Sequence, residues 1–502
     1  MQAFTTSSSS ARLLQPLTSS GLAAYKKKLA KGAAQFIDDH GFAGKANTLL
    51  PMPGAKGIDT VLFGLGGDEG ATDPFVWAAA AKAPKGTYKL PDLDDDVAFA
   101  ACLGWALASY SFSTYKADKP KSDRKLVWPK NVDKKEVERL FDAISLGRDL
   151  INTPANDMGP AELEGTARKL ARQHKANMSV ITGTQLEKKN FPAVYAVGKG
   201  SDRAPRLIDI RWGNPKHKKL TLVGKGVCFD TGGYNLKPGG SMLLMKKDMG
   251  GAAKTLALAH LVMSKKLPVR LRVLVPAVEN SVSGGAMRPS DVIQSRKGLT
   301  IEVGNTDAEG RLILCDALTE ACREKPDLLL DFATLTGAAR VALGTEMPAV
   351  FSTSDEWADA VLHKSVELND PLWRMPLFQP YKRKLKSAIA DTNNIASGSY
   401  GGAITAALFL QQFVDDDVNW AHEDLMAYNI DSRPGRPKGG EVMGIRATYA
   451  ALCERYGTSS KARGPKSPAK KTAKKTASKK AAAKKKAPSK KKSTSRKKPS
   501  AK

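Results

Sequence analysis

Residues 220–233 read LTLVGKGVCFDTGG. The first four are a short apolar run of the kind that fills a buried strand, and the glycines that follow end it in a turn. Lys225 and Asp230 lie in that turn region, Lys237 comes a little later, and Asp248 precedes a segment apolar at Ala252, Leu256, Ala259 and Met263. That spacing predicts a helix running to about Lys265, with Asp248 placed where a carboxylate suits a helix N-terminus. Similar apolar runs recur at 178–181, 207–212, 271–278, 300–303 and 327–333, and helical patterns follow several of them. Apolar strands alternating with helices predict an α/β domain with a mostly parallel central sheet. Ligands of such sheets collect at the carboxyl ends of the strands. Lys225, Asp230, Asp307, Glu309 and Thr334 all fall at or just after a strand end in this reading.

Residues 305–312, NTDAEGRL, place Asp307, Glu309 and Arg311 at every second position. An extended segment would point all three to one face, with Ala308 and Gly310 leaving the other nearly bare. Two carboxylates side by side repel unless a cation or a shared proton lies between them. Taken alone, D-x-E-x-R reads more readily as a polar turn with a local ion pair than as a metal site.

The two blocks together resemble the signature of the leucyl (cytosol) aminopeptidase family of dinuclear metallo-aminopeptidases. That pattern is a lysine, an aspartate five residues on, a second lysine twelve on, an aspartate twenty-three on, and later N-T-D-A-E-G-R; Lys225, Asp230, Lys237, Asp248 and residues 305–311 stand at these intervals. Residues 146–160, 331–344 and 389–409, and Trp420-Ala421-His422, are similar to further family segments. The region before residue 131 is only loosely similar. Thr231 stands for a usual serine, and Tyr234-Asn235 for a more apolar pair.

The resemblance implies hydrolysis of the bond after the first residue of peptides with a free N-terminus. It implies two divalent metal ions per subunit (Zn or Mn, or else Mg), one held by Asp230, Asp307 and Glu309, the other by Lys225, Asp230, Asp248 and Glu309. One metal would ligate the substrate's α-amine. Lys237 would donate to the oxyanion, and Arg311 would hold a bicarbonate acting as general base. Thr334, Leu335 and Gly337 would lie near substrate. Met245 would line the pocket for the N-terminal side chain, favouring apolar residues such as Leu, although core packing explains a methionine there nearly as well. A homo-hexamer is implied too.

Composition bounds the rest. Five scattered cysteines (Cys102, Cys228, Cys315, Cys322 and Cys453) form no C-x-x-C, which argues for a reducing, cytoplasmic setting and against a disulfide framework. No H-E-x-x-H occurs, so carboxylates must supply most metal ligands. No apolar run nears the roughly 18 residues that span a bilayer; the longest, 97–107, reads as a buried helix. The Ser-rich start faintly suggests a transit peptide, but a disordered or strand-leading segment is the preferred reading. A glycine turn at 64–67 lacks the lysine–serine pair of a phosphate loop and reads as a tight βα turn. Three parts are expected: a small N-terminal α/β domain at 1–130, a larger catalytic α/β domain at 131–456, and a disordered basic tail at 457–502. The net charge is +29, yet the tail holds 19 Lys/Arg and no acid, leaving 60 basic against 50 acidic residues in the body. Such a tail can neutralise DNA or RNA phosphates without reading sequence. A nucleic-acid-binding scaffold and a dinuclear phosphoesterase are therefore the competing readings, the latter weakened by the absence of histidines from the two blocks.

Overall fold

The computed structural model describes residues 2–55, 57–117 and 123–457. The tail expectation at 457–502 falls, except for Gly457, outside the described residues. A first sheet of six strands runs in the order Phe4–Thr5, Arg124–Val127, Gly86–Lys89, Arg12–Thr18, Gly57–Gly66, Leu49–Gly54. All its pairings are parallel except that of the Leu49–Gly54 edge strand. The first strands lie in the Ser-rich opening segment, as its strand-leading reading expects. The strand Arg124–Val127, just before the expected start of the catalytic domain at 131, belongs to this first sheet.

Residues 22–39 hold two helices, Leu22–Lys26 and Lys31–Asp39. The break lets Leu22 and Tyr25 from the first, Leu29 from the link, and Phe36 and Ile37 from the second cover the same small core over Leu17 and Leu62. The helix Asp95–Ala108 joins the two halves of the fold. Its Cys102 and Trp105 pack under the first sheet, while Leu103 and Leu107 pack with Leu140 and Ile144 of the helix Lys134–Asn152.

The second sheet has nine strands. Its central four, Trp420–Asp424, Leu328–Ala333, Lys218–Gly224 and Val269–Asn280, are mutually parallel, and Gly226–Asp230 pairs in parallel with the end of Val269–Asn280. Arg206–Trp212, Asn177–Thr182 and Ala349–Ser352 join antiparallel at the flanks. The central strands are buried on both faces, as near-continuous apolar runs require. The helix Gly250–Lys265 covers one face, with Leu256, Ala259 and Met263 in the core, and the helix Glu309–Cys322 covers the other, with Leu312, Leu314 and Leu318. The mixed sheet with a parallel centre is thus the α/β architecture that the alternation predicts.

Two expectations need correction. The run at 300–303 forms a strand, Thr300–Glu302, but in a separate three-stranded sheet with Val292–Gln294 and Thr392–Asn393. Residues 305–312 are not extended. Asp307 lies in a turn and Glu309 opens the helix Glu309–Cys322. Local polar groups fold the turn: the Asn394 Oδ1 accepts from the Gly304 and Asn305 N–H groups, and the Asn305 Oδ1 accepts from the Asp307 N–H at 2.7 Å. The apolar residues from Leu312 onward then bury best as a helix.

Candidate active site

The crevice lies beyond the carboxyl ends of the parallel strands, where their neighbours diverge. Lys225 follows the strand ending at Gly224, Asp230 ends its own strand, and Thr334 follows the strand ending at Ala333. Asp248 sits in a 3-10 turn, Met245–Met249, that leads into the helix Gly250–Lys265, and Glu309 is the first residue of the facing helix. Two of the carboxylates therefore stand at helix N-termini, whose partial positive charge favours them.

Asp230 and Asp248 are each steered by hydrogen bonds to one oxygen. The Asp230 Oδ1 accepts from the Gly232 N–H and the Asn280 side-chain amide, both at 2.8 Å. The Asp248 Oδ1 accepts from the Thr334 hydroxyl at 2.7 Å. The Asp248 Oδ2, Asp307 Oδ1 and Glu309 Oε1 are buried and accept no aligned hydrogen bond. Oxygens of Asp230, Asp307 and Glu309 lie within 4.8 Å of one another. Lys225 Nζ stands 2.8 Å from both Asp248 Oδ2 and Glu309 Oε1 and donates to the Thr334 carbonyl at 3.1 Å. Lys237 Nζ is 2.9 Å from Asp230 Oδ2 and also contacts Asp307 Oδ1. A Cβ at Gly310 would meet the Lys225 Nζ at 2.7 Å, so a larger residue there would displace that side chain.

Electrostatics repeats the geometry. Burial, then the charge of Asp248, pushes the Asp230 carboxyl up to about 6. Burial, then Asp230, pushes Glu309 up to about 8. Burial alone would discharge Lys225, but Asp248, Glu309 and Asp230 outweigh it and hold its ammonium above the usual range. At Asp230 and Glu309 burial first, and then the neighbouring carboxylates, outweigh what the two lysines offset. Carboxylate oxygens converging from three acids fit oxygen-ligated divalent cations, and the donor set suits Zn, Mn or Mg. The Asp307 side chain is 31% exposed and that of Lys237 13%, whereas those of Lys225, Asp230, Asp248 and Glu309 are 3% or less. The cluster therefore opens to solvent on the Asp307–Lys237 side.

Arg311 stands behind Glu309, 8% exposed, and burial pulls its guanidinium down to about 10. One of its nitrogens donates to the Asn394 carbonyl, and its Nε is buried without a partner. Met245 is half-buried in the 3-10 turn before Asp248, and Leu335 and Gly337 continue from Thr334. The structure thus gathers Lys225, Asp230, Lys237, Asp248, Asp307 and Glu309 into one cluster, with Arg311 and Thr334 against it.

Sequence reading missed Asn280, which braces Asp230 and also donates to the Thr306 carbonyl at 3.0 Å. A polar residue ending an otherwise apolar strand was the signal available. It also missed Asn394, which shapes the Asp307 turn, and Asp424, whose carboxylate accepts from the Leu335 and Thr336 N–H groups at 2.9 and 3.1 Å.

The family model for the cytosol aminopeptidase family, catalytic domain, matches residues 145–449, and that for the M17 aminopeptidase N-terminal domain matches 13–129. A probable cytosol aminopeptidase of Mycobacterium bovis is 42% identical over 377 residues, 71% of this chain and 73% of that protein. Among solved structures, the cytosol aminopeptidase of Coxiella burnetii aligns with a TM-score of 0.86 at 45% identity, covering 90% of this chain and 98% of that one. The bottromycin maturation enzyme BotP, solved in complex with Mn, aligns with a TM-score of 0.79 at 32% identity over 89% of this chain and 100% of its own.

Proposed function

The chain belongs to the cytosol aminopeptidase family and is a metallo-aminopeptidase by that membership, and from this premise we propose how its residues act. Asp230, Asp307 and Glu309 would hold one divalent cation, and Lys225, Asp230, Asp248 and Glu309 a second. The observation that carries this reading is the convergence of carboxylate oxygens of Asp230, Asp307 and Glu309 within 4.8 Å of one another, with Asp248 and Lys225 paired beside them. Bound there, such cations supply a water of lowered pKa and polarise the scissile carbonyl.

The side chains do the rest. Thr334 and Asn280 fix the rotamers of Asp248 and Asp230, so the ligand oxygens need not reorganise. Lys237, at the open edge and held charged by Asp230 and Asp307 against the effect of burial, donates to the oxygen that becomes negative as the tetrahedral carbon forms. Arg311 presents an unpartnered Nε beside the cluster, suited to a planar anion such as bicarbonate, which would accept the water's proton. Met245 gives the side-chain pocket one apolar wall, the basis for expecting Leu-like residues to enter.

The test is turnover of a panel of aminoacyl-p-nitroanilides by the full chain, before chelation, after it, and with Mn²⁺ or Zn²⁺ restored. Loss and recovery, with two metals per chain by elemental analysis, support the reading; turnover indifferent to chelation refutes it. A hexamer fits the exposed Leu243, Val341, Val366 and Tyr400, all more than three-quarters exposed. Light scattering would then give six times 53.8 kDa. Five free cysteines suit a cytoplasmic setting. The 19 basic residues of the tail, with no acid among them, suit non-specific contact with DNA or RNA. DNA retention that persists after deletion of 457–502 would refute that role.

A further inference from the structure

The helix Pro74–Ala78 of the N-terminal domain meets the catalytic domain over a cavity of about 20 Å³. Phe75 forms one wall, and the guanidiniums of Arg436 and Arg446 lie over its ring at 3.7 and 4.9 Å. Arg148 and Arg433 complete a set of four arginines around the space, against three acids, Glu346, Asp370 and Glu441. Each acid is already engaged. Glu346 pairs with Arg433. Asp370 caps the helix Ile445–Tyr456, accepting from the Gly444, Arg446 and Ala447 N–H groups at 3.3, 2.8 and 3.2 Å. Glu441 accepts from Arg148 Nη2 at 2.8 Å and from the Asn429 amide at 3.1 Å. Asp73, whose charge also reaches Arg446, accepts from the Phe75 N–H at 2.8 Å.

What remains around the cavity is mostly donor. Arg148 is 1% exposed, and its Nη1 has no hydrogen-bond partner among the described residues. Its Nε and Nη2 are taken by Glu441 and the Gly435 carbonyl. Arg436 makes no side-chain hydrogen bond among the described residues. Arg446 Nη2 donates to the Asn369 carbonyl at 3.0 Å. The Nη2 atoms of Arg436 and Arg446 both stop 3.9 Å from Asp370 Oδ1, too far to bond it. Buried cationic donors without an acceptor are costly. The volume admits about one or two water-sized particles. We propose that this cavity binds a single monatomic anion, chloride, held by Arg148 Nη1 together with Arg436 and Arg446, and that the ion fastens the N-terminal domain to the catalytic domain. The remaining space takes a water that donates to the buried, partnerless Asn429 Oδ1. Water alone would satisfy Asn429 and leave the guanidiniums uncompensated. None of the lining residues belongs to the carboxylate cluster, so the inference does not depend on the metal reading.

The experiment melts the full chain in sodium chloride and in sodium gluconate, whose anion is too large for the cavity, at equal ionic strength. Chloride at a hundredfold its dissociation constant is expected to raise the melting temperature by about 2–4 °C over gluconate. Arg436→Leu strands no acid and should abolish that difference. The double change Arg148→Met with Glu441→Leu, which removes the donor and its carboxylate partner together, should abolish it too. Crystals soaked in bromide should show an anomalous peak in contact with Arg148 Nη1. Equal melting in the two salts overturns the inference. So does a bromide peak without a melting difference, which marks binding at crystal concentration only. A chloride response in Arg436→Leu equal to that of the wild type overturns it as well, since the stabilisation then arises elsewhere.

Discussion

Replacing Asn280 with alanine tests whether the brace behind Asp230 sets metal affinity. Asn280 is 2% exposed, and its amide spans two parts of the crevice, giving 2.8 Å to Asp230 Oδ1 and 3.0 Å to the carbonyl of Thr306, the residue before Asp307. Alanine removes both bonds. Asp230 keeps the Gly232 N–H, so the carboxylate is loosened without being stranded. Losing such an outer-shell partner typically weakens metal binding 10–100-fold, about 1.4–2.8 kcal/mol. Each lost bond also costs the fold about 1 kcal/mol. The assay is competition of the apo-protein against a chromophoric chelator for Mn²⁺, with melting followed in parallel. Asn429→Ala is the matched control. It too is buried and loses two bonds, to the Pro437 carbonyl and Glu441, yet touches none of the cluster. Affinity of Asn280→Ala within twofold of wild type, or an equal loss in Asn429→Ala, would falsify the reasoning.

Arg148→Met should destabilise the fold by about 3–5 kcal/mol in chemical denaturation, because it strands the buried Glu441 that Arg148 Nη2 holds at 2.8 Å; a second change, Glu441→Leu, should recover much of that loss. Gly310→Ala should lower metal affinity at least about tenfold with the fold retained, since its methyl displaces the Lys225 Nζ, and unchanged affinity would count against Lys225 as a ligand. His174 Nε2 and His260 Nδ1 face each other at 2.9 Å, an arrangement that needs one donor and one acceptor. Burial, then His174, then Arg139 lowers His260 to about 4, from an ordinary value of 6.5. Stability from this pair is therefore full above pH 6.5 and lost as pH falls towards 4. After discounting for partial exposure the loss is about 1–2 kcal/mol. Melting curves of His260→Leu should lack this part of the pH dependence, and a profile parallel to wild type would exclude the pair as its source.

The central sheet was legible because strands buried on both faces have few alternatives: 220–223, 271–278 and 327–333 can pack only as inner strands, and they do. Ala349–Ser352, at the flank, and Trp420–Asp424, in the centre, are not evident as strands in the sequence. The first is four residues long, and the second, WAHED, looks polar; it is nonetheless wholly buried because His422 pairs with Asp331 and Glu423 with Lys254. Polarity predicts exposure only when partners are unknown. Residues 305–312 are a related case. The alternation of Asp307, Glu309 and Arg311 suits a strand's period, whereas Asn305 and Asn394, 89 residues apart, fix a turn.

The chemistry of the cluster was legible at the level of spacing, and spacing identifies which residues meet without saying what else stands beside them. Lys246 and Lys247 make the point. In the sequence they are an undifferentiated pair. In the fold Lys246 reaches the Asn152 carbonyl at 2.6 Å and stays partly exposed, while Lys247 turns inward to a place with no acceptor. Which of two adjacent lysines faces the interior depends on the pitch of the 3-10 turn Met245–Met249, and that pitch is set by Asp248 having to reach Thr334. The turn that brings the Asp248 carboxylate to the Thr334 hydroxyl is thus the same turn that carries the Lys247 side chain inward, so a metal-ligand candidate and its enclosed neighbour share one piece of backbone.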